Sequence, residues 1–405
     1  VTLLQTLPIV FVLTGLVFYV VLGGADFGAG LWQLIGARGD DKGKRIRDHA
    51  HHAMGPVWEA NHVWLIFVIT VLWTAYSQVF ASTASTLSIP FFVAAIGIIL
   101  RGGAYALRSG TRGLREQRRV GTVLSLSSIL TPFALGLMVG GIAAGRVPVG
   151  NAAGDLVTSW LNPLAITVGL IAVTFSAYLA AVFLAADAVR HDDAEMEQAF
   201  RTRALISGVV AGLVAAAGLI PLHADAPHLF HELVAGQALP AAIVSVIAGG
   251  AALLLVFRRR YEPARYTAAL AVAAVIAGWA LGQSPYLLPG LSIEHAAAPR
   301  NTLIAVVVAV VAGGIILFPS LVVLFRLTLG GSLAAGESAA DAPVERHPVP
   351  GAGSLVGRSA VALLVIGLGF LTLANPGWAH AIGACALLAF AALATRALIS
   401  DAMLS

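Results

Sequence analysis

Long apolar runs separated by short polar intervals set the pattern of this chain from its first residues. Runs near 5–34, 56–80, 84–107, 121–144, 162–189, 203–222, 238–257, 264–283, 302–328, 357–374 and 378–398 reach or exceed the length that crosses a bilayer, roughly 18–20 residues. The first, fifth and ninth are long enough to tilt or to extend beyond the hydrocarbon. The pattern predicts an all-α, polytopic membrane helix bundle with no credible strand. The first apolar run is long and leads directly into a second, the pattern expected of a retained span rather than a cleaved leader. No internal repeat stands out.

The basic residues give the bundle a direction. The connections after spans 1, 3, 5, 7 and 9, with their flanking turns, hold five, six, three, four and three Lys and Arg. Those after spans 2, 4, 6, 8 and 10 hold none, one, none, one and none, and Arg396 falls at the end of span 11. Cytoplasmic loops carry the excess of Lys and Arg, so the N-terminus is expected outside and the C-terminus inside. Residues 330–356, rich in Gly, Ala and Pro, read as a flexible cytoplasmic linker. The chain is thus expected to divide into a nine-span body (1–329), that linker, and an appended two-span hairpin (357–405) turning at Asn375-Pro376-Gly377.

Composition agrees. Of 405 residues, 59% are hydrophobic and only 11% charged, which excludes an ordinary soluble domain. The net charge of +4 invites a nucleic-acid reading, but the cations lie in short loops between spans, where they signal topology. Those after span 3 (Arg108, Arg112, Arg115, Arg118, Arg119) read as orientation signals and contacts to anionic lipid. The one cysteine, Cys385, leaves no disulfide and no thiolate cluster.

Against this background a few ionisable residues stand out. Asp26 lies in the inner half of span 1, Glu59 in the first turns of span 2, and Arg101 closes span 3. Charged groups beside hydrocarbon are costly and mark functional sites by default. Desolvation and a neighbouring guanidinium push a carboxyl in opposite directions, which suits a group that loads and releases protons. A static ion-pair network that fixes helix register fits the same placement equally well. Gly24 and Gly28, four residues apart, would let another helix approach the Asp26 turn, either for plain packing or for the site. Asn61 and His62 add hydrogen-bonding groups one turn deeper, and Trp58 and Trp64 read as interface or packing aromatics.

The histidines argue against haem. His49, His51 and His52 precede span 2; His191, His223, His228, His231, His295 and His347 lie in loops; His380 opens span 11. Only His62 is expected inside a helix near the membrane, with no evident second ligand, so no haem ligand is assigned. His228, His231 and Glu232 suit a solvated helical turn better than a metal site, and no metal is expected. Gly-x-Gly patterns near 28–30 sit in an apolar helix and carry no nucleotide meaning.

The segment Gly24-Ala25-Asp26-Phe27-Gly28-Ala29-Gly30, followed by Gly55-Pro56-Val57-Trp58-Glu59-Ala60-Asn61-His62-Val63-Trp64-Leu65, resembles subunit II of the cytochrome bd-type quinol oxidases. So do Arg101-Gly102-Gly103-Ala104 through Arg108, and Pro285-Tyr286-Leu287-Leu288-Pro289 leading to Asn301-Thr302-Leu303. The likeness covers about residues 1–329. It implies a nine-span subunit of the bacterial cytoplasmic membrane that pairs with a homologous subunit I, sometimes with a small accessory subunit. In that family subunit I carries the haems b and d and the quinol loop. The complex oxidises quinol and reduces dioxygen to water with cytoplasmic protons. Acids matching Asp26 and Glu59 serve the proton route, and some members hold a structural quinone in subunit II. The chain departs from the family in three places. Glu59 stands where an aspartate is usual, Thr70–Ser77 replaces a stretch containing phenylalanine and proline, and the hairpin 357–398 is additional.

Read from the residues alone, two other functions compete. A secondary transporter or ion channel would use the span 1 glycines as a broken helix, but the charges lie toward one face rather than the midplane. A non-catalytic assembly scaffold would explain the altered span 2 and the added hairpin.

Overall fold

The computed structural model describes the backbone of residues 2–36, 41–54, 58–108, 114–329, 359, 362–367, 370 and 377–402. The opening apolar run folds as one span, Leu3–Ile35, made of α1 (Leu3–Phe18), a single π-helical turn (Tyr19–Gly23) and α2 (Gly24–Ile35). A π turn widens the helix locally and recurs at functional positions; here it immediately precedes Asp26. An amphipathic helix, α3 (Asp41–Met54), follows and buries Ile46 and Ala50, one turn apart, against the bundle. It was not expected, because its charged residues mask that short apolar stripe.

Span 2 differs from its expected extent. α4 (Trp58–Ala75) stops at Tyr76, and α5 (Ser77–Thr86) leaves at 119° to it. No Pro or Gly forces the bend. Tyr76 is fully buried and its hydroxyl donates to the Gln5 carbonyl (2.5 Å), while the Ala75 carbonyl accepts from the Ala298 N–H (2.8 Å). Tertiary contacts therefore set the corner.

α6 (Ser88–Arg108), α7 (Leu114–Ala143) and α8 (Pro163–Arg190) form the centre of the bundle. The start of α8 is encoded locally: the Asn162 side chain accepts from the Ala165 N–H (2.9 Å) and Pro163 occupies the first turn. Its C-terminal half is a nearly continuous buried stretch from Ala177 to Ala188. α7 meets it closely, because a side chain at Gly136 or Gly140 would collide with the backbone of Gly169 or Ala165.

α9 (Ala194–Ala217) starts beneath an Asp193 cap, more than two turns earlier than the apolar pattern implied, and breaks at Gly218 into α10 (Leu219–Asp225). Its first turn carries Glu195 and Glu197, which suit the positive end of the helix dipole. The short α11 (Pro227–Val234) leads to α12 (Leu239–Phe257) and α13 (Tyr261–Gln283), which pack as a pair. Strands are present after all: β1 (Tyr286–Leu288) and β2 (Leu291–Ser292) pair antiparallel around Gly290 (φ +76°) and feed the single-turn α14 (Ile293–Ala296). A three-residue strand in a loop between spans leaves no periodic signal. α15 (Arg300–Leu329) completes the expected ninth span.

Seven helices among the described residues are long and apolar enough to cross a membrane, and the α4–α5 pair would be an eighth; the apolar part of α6, Ser88–Ala104, is shorter. The chain separates into two compact units, Val1–Leu321 and Val322–Ser405. The second contains α16 (Gly377–Ala402). The linker 330–356 and most of the expected span 357–374 lie outside the described residues.

Candidate functional site

The site begins with α2, whose residues from Gly24 to Gly30 are all buried. The backbone can be enclosed so tightly because three glycines face its neighbours. A Cβ on Gly28 would overlap the Ser176 carbonyl of α8, one on Gly24 would touch Leu179 and Ser176, and one on Gly30 would strike Ser128 of α7. The helix expected to approach the Asp26 turn is thus α8, and α7 closes the other side. The Trp32 indole N–H locks the α2–α8 register by donating to the Ala177 carbonyl (2.9 Å).

Inside this enclosure Asp26 and Arg101 meet, both fully buried. Arg101 Nη2 donates to Asp26 Oδ1 (2.5 Å) and Nε donates to Oδ2 (3.2 Å), the two-pronged geometry that a planar guanidinium supplies. Nη2 also donates to the Asp26 carbonyl (3.0 Å), and Nη1 donates to Ser128 Oγ. The Phe27 ring lies 5.1 Å from the guanidinium carbon. A full set of donors and acceptors lets a charged pair persist away from water.

Span 2 contributes the rest. Asn61 is buried, and its Nδ2 donates to the Leu22 carbonyl within the π turn (3.3 Å), while its Oδ1 is buried without an acceptor's usual donor. His62 is half-buried and within electrostatic range of Asp26 and Arg101. Trp64 stacks on Phe18 (4.5 Å) and acts as packing between α4 and α1. The backbones of Trp58 and Glu59 open α4, but their side chains lie outside the described residues. The structure therefore joins Asp26, Arg101, Asn61, His62, Gly24 and Gly28. Sequence reasoning missed Ser128, Gly30, Phe27 and Tyr19; the Tyr19 hydroxyl is buried within range of Asp26.

Outside the spans, α3 docks through charge. Arg45 pairs with Glu195 and with Asp193 (2.8 Å), and the His49 ring meets the Leu184 carbonyl (3.1 Å). The Met196 N–H, then Arg45, hold the Asp193 carboxyl below its ordinary value.

Outside the site, the described histidines make local contacts. His49 and His191 face the carbonyls of Leu184 and Asp187, His295 pairs with Ser292, and His223 packs on Phe230. His228 and His231 are exposed, and Glu232 accepts from the Gln237 N–H (2.9 Å). No group of three metal-binding side chains occurs among the described residues.

Comparison with known proteins is concordant. The family model for cytochrome bd terminal oxidase subunit II matches residues 4–328. A Bacillus subtilis (strain 168) protein with the provisional name cytochrome bd menaquinol oxidase subunit II is 22% identical over 319 residues, covering 76% of this chain and 91% of its own. Cytochrome bd ubiquinol oxidase subunit 2 of the same organism is 28% identical over 131 residues, 32% of this chain and 37% of that one. The bd oxidase structure from Geobacillus thermodenitrificans shares the fold, with a TM-score of 0.67 and 24% identity over 81% of this chain and 99% of its own. The chain therefore belongs to the cytochrome bd terminal oxidase subunit II family, as a multi-pass membrane subunit of a respiratory quinol oxidase that works in a haem-containing complex with a partner oxidase subunit.

Proposed function

We propose that this chain is the haem-free subunit of the oxidase, supporting a haem-bearing subunit I and helping to deliver protons from the cytoplasm for the reduction of dioxygen to water. Asp26 and Glu59 are the proton-handling acids, with Arg101, Asn61 and His62 as their supports. The observation that carries this reading is the sealed Asp26–Arg101 pair, flanked by Asn61 and His62, inside otherwise apolar spans. The side chains available suit hydrogen bonding and proton exchange rather than axial ligation, so the haems b and d are assigned to the partner. Any quinone held by this chain would be structural. The N-terminus lies outside a bacterial cytoplasmic membrane, which puts the basic connections on the cytoplasmic face. Residues 1–329 form the oxidase body, and 357–405 are an addition joined through the linker 330–356.

The two-pronged bonding of Asp26 favours a second reading, in which the pair pins helix register and Glu59 alone exchanges protons. Substitution separates the two. Glu59→Gln is expected to lower quinol-dependent oxygen consumption about 100-fold, the usual scale of a lost acid–base group, while the haem spectrum of the complex is retained. Asp26→Asn does the same on the first reading but spares turnover on the second. Full turnover in both variants removes the proton role. Separately, the purified chain alone should show no Soret band, and a haem retained by it would overturn the haem-free assignment.

A further inference from the structure

A second feature, at the opposite end of α8 from its Asn162 cap, is unrelated to the buried pair. Here α8 ends at Arg190, α12 ends at Phe257, and α13 begins at Tyr261. Between them lies a cleft of about 470 Å³, within the range of ligand sites. Its floor is apolar, from Ala186, Val189 and Pro263, and its rim carries Arg190, Arg259 and Arg260 together with Tyr261 and the carboxylate of Glu262. Arg258, Arg259 and Arg260 are consecutive and all exposed. Arg259 adopts left-handed backbone (φ +58°), the position after a helix that glycine usually takes. That reversal turns the run across the end of α12, where the Arg260 N–H closes on the Leu255 carbonyl (2.8 Å).

The local carboxylates do not balance these cations. Glu262 is taken by Arg190 (2.7 Å) and Arg265 (3.4 Å), and Glu197 by Arg259 (3.0 Å) and the Tyr261 hydroxyl (2.7 Å). Among the described residues no carboxylate forms an ion pair with Arg258 or Arg260. Because α12 is a 19-residue apolar span, the run sits at the level where a bilayer's headgroups begin. Phe257 is 62% exposed beneath the Arg201 guanidinium (5.5 Å), so the apolar surface continues outward from the cleft.

We infer that this cleft binds an anionic phospholipid from the adjoining leaflet, with its phosphate against Arg259 and Arg260, which line it, and its acyl chain on the Val189–Pro263 floor. Planar guanidinium groups recognise phosphate through paired N–H donors. The apolar floor and the depth in the membrane select a lipid over a free anion.

The test uses the complex purified with its partner subunits, delipidated and returned to nanodiscs of phosphatidylcholine containing phosphatidylglycerol, with retained lipid counted by native mass spectrometry. The wild-type complex should retain phosphatidylglycerol in preference to phosphatidylcholine. Arg259→Gln and Arg260→Gln should each weaken that retention about fivefold, and the double variant by the product. Arg300→Gln, which removes an exposed arginine from a different connection, should leave it unchanged. Retention by the double variant equal to wild type overturns the site. Equal loss in Arg300→Gln reduces it to net charge, and displacement of the lipid by inorganic phosphate alone overturns the lipid assignment.

Discussion

The Asp26–Arg101 pair is costly to break. Both charges are fully buried, so removing one strands the other away from water, at about 3–5 kcal/mol. Arg101→Leu should lower the stability of the detergent-solubilised complex by that amount in thermal unfolding. Adding Asp26→Leu should recover much of it, since an apolar pair carries no stranded charge; a double variant no more stable than the single would contradict the pairing. The charged members of this site were legible in the sequence because an ionisable residue in an apolar run is rare. Ser128 and Gly30 were not. A serine in a span commonly satisfies itself on the carbonyl one turn back, as Ser128 does with Leu124 (2.5 Å), so nothing distinguishes the one that also holds a guanidinium. Gly30 matters only because of what lies opposite it.

At the scale of elements, α2 owes its position to close backbone approach. A valine at Gly28 would intrude on the Ser176 carbonyl, which belongs to a rigid helix and cannot yield as a flexible side chain would. Gly28→Val should therefore destabilise the α2–α8 contact by about 1–3 kcal/mol, seen as a lower thermal midpoint, and a midpoint unchanged from wild type would show that α8 can move aside. α3 is held differently, by Arg45 on Asp193 and Glu195. Since the folded protein keeps the Asp193 carboxyl below its ordinary value of 3.8, its contribution is present above that value and lost as the pH falls through the folded one. Hydrogen exchange across residues 43–50, corrected for intrinsic rates, should stay slow from pH 7 to about 4 and accelerate only below it. Acceleration that begins well above pH 4 would show that the Asp193 carboxylate does not control the docking of α3. Ile46 and Ala50 did carry a one-turn apolar spacing, but two positions among so many charges are too few to announce a helix.

At the scale of the whole molecule, hydropathy read the spans well because a bilayer demands length and apolarity of every crossing helix. It could not read the corner at Tyr76 or the β1–β2 ribbon, since both depend on residues distant in the chain. Membership of the oxidase family also sets aside the transporter reading that the span 1 glycines had left open. Those glycines pack against α8 rather than breaking the span. The Tyr76 corner has a bearing on how the protein is made. Its freed Ala75 carbonyl is capped by Ala298, which is synthesised only after six later spans have begun or finished insertion. During translation the second span must wait in a provisional form, so nascent chains arrested before Ala298 should remain open to protease around Tyr76, and release of the full body is what seals them.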